Sequence, residues 1–112
     1  MKKLFLVGTL FLLLFTLVSS YAANAVTIQI SWQLNSITEN VTKYVVHRAV
    51  GINGKYNPVS TVNGKVNYVT VGGLAPGTYK FMVLAYNNVG VSPMSNQVLV
   101  VINKNYIKIS KL

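Results

Sequence analysis

A chain of 112 residues can hold one domain with a modest core, and this one carries ten Lys and Arg against a single acidic residue, Glu39, for a net charge of +9. With no cysteine, one histidine and one carboxylate, it lacks the parts for a disulfide framework, a thiol nucleophile, the paired acids of a glycosidase or a multi-donor metal site. The expectation is a basic, non-catalytic protein without cofactor, whose field favours anionic partners.

The chain opens with Lys2 and Lys3, continues through an apolar run from Leu4 to Val18, and reaches the small residues Ala23-Asn24-Ala25. That order is the pattern of an export signal, predicting a leader over residues 1–25, cleavage after Ala25 and a secreted, extracellular or periplasmic product. Ser20-Tyr21-Ala22 offers a second small-x-small site, and an uncleaved membrane anchor is the alternative. Losing Lys2 and Lys3 would leave the remainder strongly basic.

Val26 to Leu34 alternates, with Val26, Ile28, Ile30, Trp32 and Leu34 on one face and Thr27, Gln29, Ser31 and Gln33 on the other. Period two with β-branched residues predicts a half-buried strand, and Trp32 brings the largest apolar surface to it. Asn35 to Thr42 is a polar loop containing the sequon Asn40-Val41-Thr42. Lys43 to Val50 is the next strand, with Tyr44, Val46 and Arg48 opposed to Val45, His47 and Ala49. Asn53-Gly54 predicts a hairpin turn of type I′, and Tyr56 to Val62 the return strand, which Pro58 marks as an edge. A second Asn-Gly at 63–64 leads to a strand over Lys65 to Val71, with Val69 and Val71 chosen as its inner face over Tyr68 and Thr70. Pro76 and Gly77 turn the chain into a central strand from Thr78 to Asn87, whose alternate residues are Tyr79, Phe81, Val83 and Ala85. Gln97 to Ile102 is another apolar strand, and Ile107 and Ile109 alternate in a basic C-terminal segment. Short strands separated by turns, with no helical period, predict an all-β antiparallel sandwich.

From Leu74 onward the chain resembles a fibronectin type III domain. Leu74, Pro76, Gly77, Thr78, Tyr79, Phe81, Val83, Ala85, Asn87, Gly90 and Ser92 stand in the order and spacing of that family's pattern. Trp32 is similar to its strand-B tryptophan, and Tyr44 to Arg48 to its strand C. The resemblance spans roughly residues 27–101. It implies an immunoglobulin-like sandwich with strands A, B and E in one sheet and C, C′, F and G in the other. It also implies a corner role for Tyr79, its hydroxyl bonded back to the preceding turn. Thr78 meets Tyr79 one residue earlier than in the commonest form, which puts the corner geometry in question. Cleavage after Ala25 leaves strand A short or missing. The predicted domain is therefore 26–102, followed at 103–112 by a basic tail or extra strand.

Such domains serve as binding modules, so the expected function is protein–protein interaction or cell-surface adhesion. Binding of an anionic glycan or envelope polymer, and self-association through exposed strand edges, are the alternatives; no specific nucleic-acid partner is expected. Strand parity puts Val45, His47, Ala49, Met82, Leu84, Tyr86, Leu99 and Val101 on the outer face of the C-F-G sheet, beside Lys80. A contiguous apolar face that broad is the candidate binding surface. Trp32, Tyr44, Leu74, Pro76, Tyr79, Phe81 and Val83 are assigned to structure. His47 is read as an ordinary strand residue. The segment Tyr106–Lys111 is a candidate filler of the empty place beside strand B.

Overall fold

Two antiparallel sheets face each other because most of the chain presents apolar side chains on alternate residues, and each sheet hides that face against the other. The computed structural model describes residues 12–15 and 25–112. Its strands are β1 (Leu12–Phe15), β2 (Val26–Trp32), β3 (Lys43–Val50), β4 (Asn57–Asn63), β5 (Tyr68–Leu74), β6 (Gly77–Tyr86), β7 (Val98–Asn103) and β8 (Tyr106–Lys111). The first sheet runs β1-β2-β5 and the second β4-β3-β6-β7-β8. The charged start of the chain and most of the predicted cleavage region lie outside the described residues.

The core lies between the sheets. Val26, Ile28, Ile30 and Trp32 of β2 meet Tyr44 and Val46 of β3, Tyr79, Phe81, Val83 and Ala85 of β6, and Val98, Val100 and Ile102 of β7. The Trp32 and Tyr44 rings sit 5.4 Å apart at a tilt of 50°, a favoured arrangement for ring quadrupoles. Val71 and Leu74 are buried while Tyr68 is exposed, so β5 faces the core with its valines. Pro58 lies on β4, an edge strand, where its missing N–H costs no ladder bond. Opposite it, the register of β3 slips between Val46 and His47.

Four expectations need correction. Strand β2 ends at Trp32, and Leu34, predicted to face the core, is exposed in the following loop. The two Asn-Gly pairs do not form type I′ turns. The first turn closes from Gly54 N–H to the Gly51 carbonyl, and the residue with positive φ is Gly51, at 85°. The second closes from Val66 N–H to the Asn63 carbonyl, with the Asn63 side chain accepting from Lys65 N–H at 2.8 Å. Glycine is needed at 54 and 64 for close approach: a Cβ there would collide with the carbonyl oxygens of Val50 and Val41 respectively. The C-terminal segment is a strand, but it pairs with β7, not β2, and Ile107 and Ile109 pack against the core from there. The place beside β2 is taken by β1.

The corner closes despite its tight spacing. The Tyr79 hydroxyl donates to the Ala75 carbonyl at 2.6 Å, tying the turn at Pro76 to the start of β6.

Candidate functional site

Three connections meet at one end of the sandwich: residues 33–42 after β2, 64–67 after β4, and 87–97 after β6. Each is held by side chains that replace the missing ladder. Asn87 accepts from Val89 N–H at 2.8 Å and Gly90 N–H at 3.0 Å, fixing the turn after β6. Its amide donates to the Glu39 carbonyl at 2.9 Å and so joins that turn to the loop before β3. In that loop, a single 3-10 turn spans Ile37–Glu39, with Ser36 capping it and Asn40 closing it in the left-handed region at φ 50°. The Glu39 carboxylate accepts from the Asn35 amide at 2.6 Å. Asn35 N–H in turn donates to the Tyr44 hydroxyl at 2.8 Å.

This scaffold pushes apolar side chains outward. Ile37 is 88% exposed, and Leu34, Val89, Val91 and Met94 are each exposed by about half. Leu34, Ile37 and Val41 line an open cleft of about 330 Å³, bordered by Asn35, Gly64 and Lys65. These residues were missed by strand-parity reasoning, because loop residues have no period to follow. A weak signal existed: apolar residues interrupting a polar stretch at Leu34, Ile37, Val89 and Met94.

The predicted face on the other sheet is assembled as expected in register, but it is not an open apolar surface. Val45 stands opposite Leu84, His47 opposite Met82, and Ala49 opposite Lys80; Lys80 stands opposite Leu99, and Val101 opposite Lys108. Val45, Ala49 and Met82 are nevertheless buried, and His47, Leu84, Tyr86, Leu99 and Val101 are half-buried. Tyr56 supplies part of the cover. It precedes edge strand β4, yet its hydroxyl donates to Gln97 Oε1 at 2.7 Å, just before β7. It must therefore cross β3 and β6, and Lys80 Nζ lies 5.5 Å from its ring centroid. Lys43 Nζ likewise lies 4.9 Å from the Tyr86 ring. What this face offers is a row of lysines, Lys43, Lys80 and Lys108, over a half-covered apolar floor.

Among the described residues no three His, Cys, Asp or Glu side chains come together as a metal site. His47 Nδ1 is buried without a hydrogen-bond partner among the described residues. Among the described residues the shifted groups are tyrosines: burial pushes the Tyr44 hydroxyl above its ordinary pKa, opposed by the Asn35 N–H and helped by Glu39. Burial does the same to Tyr56.

The fibronectin type III domain family matches residues 16–101, and the chain belongs to that family. The match begins upstream of Val26, inside the stretch that reads as an export leader. Among solved structures, the chain is similar to the twitchin kinase region from C. elegans, with 24% identity and a TM-score of 0.60 over 70% of this chain and 14% of that one. It is also similar to pectate lyase Pel3 from Pectobacterium carotovorum, with 19% identity and a TM-score of 0.59 over 80% of this chain and 26% of that one. The titin kinase with its flanking domains matches at 21% identity and a TM-score of 0.55, over 71% of this chain and 14% of that one. The chain thus spans between about a seventh and a quarter of those proteins, and the likeness to them is one of fold. No curated protein matches the chain.

Proposed function

We propose that this chain is an exported protein-binding module that engages its partner through the loop end of the sandwich. Fibronectin type III domains commonly mediate protein–protein interaction, and the leader pattern of residues 1–25 supports export to an extracellular or periplasmic setting. The observation that carries the reading is the cluster of outward apolar side chains, Ile37 foremost, on loops fixed by the Asn87–Glu39 bond. Exposed apolar groups on a rigid frame lose little entropy on docking and bury surface from water when a partner covers them. Lys43 and Lys65 flank the same end, so the fitting partner is a protein with an apolar centre and an acidic rim.

The test uses substitutions that leave the core untouched. Ile37→Glu and Met94→Glu are expected to abolish capture of the partner with the melting temperature unchanged. Capture equal to wild type in both variants would overturn the assignment. Leu84→Lys, on the sheet face, is expected to have little effect.

A second reading is favoured by the lysine row. An anionic polymer laid across β3, β6, β7 and β8 would meet Lys43, Lys80 and Lys108 in turn, and Glu39 is the single acidic side chain of the sequence. Binding of that kind falls steeply with salt and is lost on Lys80→Glu with Lys108→Glu. Binding through the loop end survives both changes.

A further inference from the structure

The apolar heart of the predicted leader is also a strand of the folded domain. Leu12 stands opposite Trp32, Leu13 opposite Ser31, Leu14 opposite Ile30 and Phe15 opposite Gln29, in an antiparallel ladder. On its other side β2 pairs with β5. Without β1 the first sheet would shrink to two strands, and β2 would become an edge with unpaired N–H and C=O groups. That edge would belong to the strand whose Val26, Ile28, Ile30 and Trp32 are almost completely buried at the centre of the core. No other described strand is free to fill the place, since β8 is committed to β7 and packs Ile107 and Ile109 against the core from the far sheet. The same four residues lie in the apolar run that an export machinery would recognise, and cleavage after Ala25 would remove them.

We propose that residues 12–15 have two incompatible uses, the core of an export leader and the first edge strand of the sandwich, so that a chain folded before export hides its own leader against β2. The leader half of this rests on the export reading above; the strand half does not. Residues 12–15 can pair with β2 or serve as the apolar core of a leader in a membrane, and they can occupy only one of the two places. Folding and processing then compete for one segment: the folded, unprocessed chain has a complete sheet and a withdrawn leader, and the processed chain has an open β2 edge.

The absence of cysteine makes the pairing directly testable in the full chain. Leu13→Cys with Ser31→Cys, oxidised after folding, is expected to give an intramolecular disulfide. Phe15→Cys with Gln29→Cys gives a second pair whose Gln29 is only half-buried, in case the first disturbs the fold. Leu13→Cys with Thr70→Cys, two strands apart, is expected to give none. Absence of the disulfide in both matched pairs, or its formation only between chains, overturns the intrachain strand. In a processing assay, the folded full chain is expected to be cut by signal peptidase about tenfold or more slower than the same chain presented unfolded, because only the opened state is cleavable. Equal rates overturn the competition. An unfolded chain that is never cut overturns the leader reading, whereas the disulfide result decides the strand by itself.

Discussion

Ser95 stands beside Val83 where a strand would otherwise be. Val83 N–H donates to Ser95 Oγ at 2.9 Å, and Ser95 N–H donates to the Val83 carbonyl at 3.1 Å. Two residues along β6 the arrangement repeats: Ala85 N–H donates to Ser92 Oγ at 2.9 Å, and Ser92 N–H to the Ala85 carbonyl at 2.8 Å. Strand β7 pairs with β6 only from Phe81 back to Gly77. The two serines thus carry the ladder past the point where Pro93 and the loop leave it. Both are buried, so neither Val83 nor Ala85 could turn to water instead.

Ser95→Ala is therefore expected to leave a buried N–H unpaired and to cost about 1–3 kcal/mol, as is Ser92→Ala. Denaturant melts check this, and the slope of the transition should stay at the wild-type value. Val83 and Ala85 themselves stay apolar and inward, so the loss reports the hydroxyl alone. A loosened ladder here also frees Val91 and Met94, so both changes should weaken capture of the partner.

The core makes a different demand. Trp32→Ala removes the largest buried side chain from the centre of the sandwich and is expected to cost about 3–5 kcal/mol. For a domain this small that is most of the available stability. Its indole N–H has no hydrogen-bond partner among the described residues, so Trp32→Phe should cost only the lost volume and be the milder change. Tyr79→Phe loses the single bond to the Ala75 carbonyl, about 1 kcal/mol. Thermal melts of the three variants should rank in that order of severity, alanine first.

Much of this was legible from residue order. The parity of Val26 to Trp32 and of Tyr79 to Ala85 assigns the core face correctly, because burial on one side of a sheet leaves a period-two trace. The outer face was legible in register but not in exposure. Val45, Ala49 and Met82 lie on it and are still buried, and Tyr56 reaches across from outside strand β4 to Gln97, a tertiary contact with no local signature. Strand β1 left no alternation to find, since Leu12 to Phe15 is uniformly apolar and matches a leader equally well. The loop end left only isolated apolar residues in a polar stretch, because Ile37 and Met94 are set by side-chain bonds from Asn87 and Ser95 that only the folded chain brings together.

Glycine 54 separates the two explanations of the first hairpin turn. A type I′ turn would need positive φ there; the structure instead needs room beside the Val50 carbonyl. Gly54→Ala is expected to destabilise by about 1–3 kcal/mol through overpacking, and Asn53→Ala by a few tenths at most, since an exposed Asn53 without positive φ has no special duty. If instead Asn53→Ala cost as much as Gly54→Ala in a denaturant melt, the type I′ geometry would be restored.

Alkaline pH offers a readout of the Tyr44 cluster. Burial raises the pKa of Tyr44 above the ordinary tyrosine value of 10.0, Glu39 adds to the rise and the Asn35 N–H opposes it. A folded pKa above the unfolded one means that the folded chain holds the proton after the unfolded chain has begun to release it. The associated stability is then complete below about pH 10 and is lost as pH rises through the folded value. Tyr56, raised by burial alone, acts in the same direction. Melting temperature is expected to be flat in this respect up to about pH 10 and to fall beyond it. Tyr44→Phe removes one ionising group and should flatten the fall. At neutral pH it should also cost about 1 kcal/mol, because Asn35 N–H loses the hydroxyl at 2.8 Å that holds the loop carrying Ile37. An alkaline fall identical in wild type and Tyr44→Phe would show that the buried hydroxyl does not govern it.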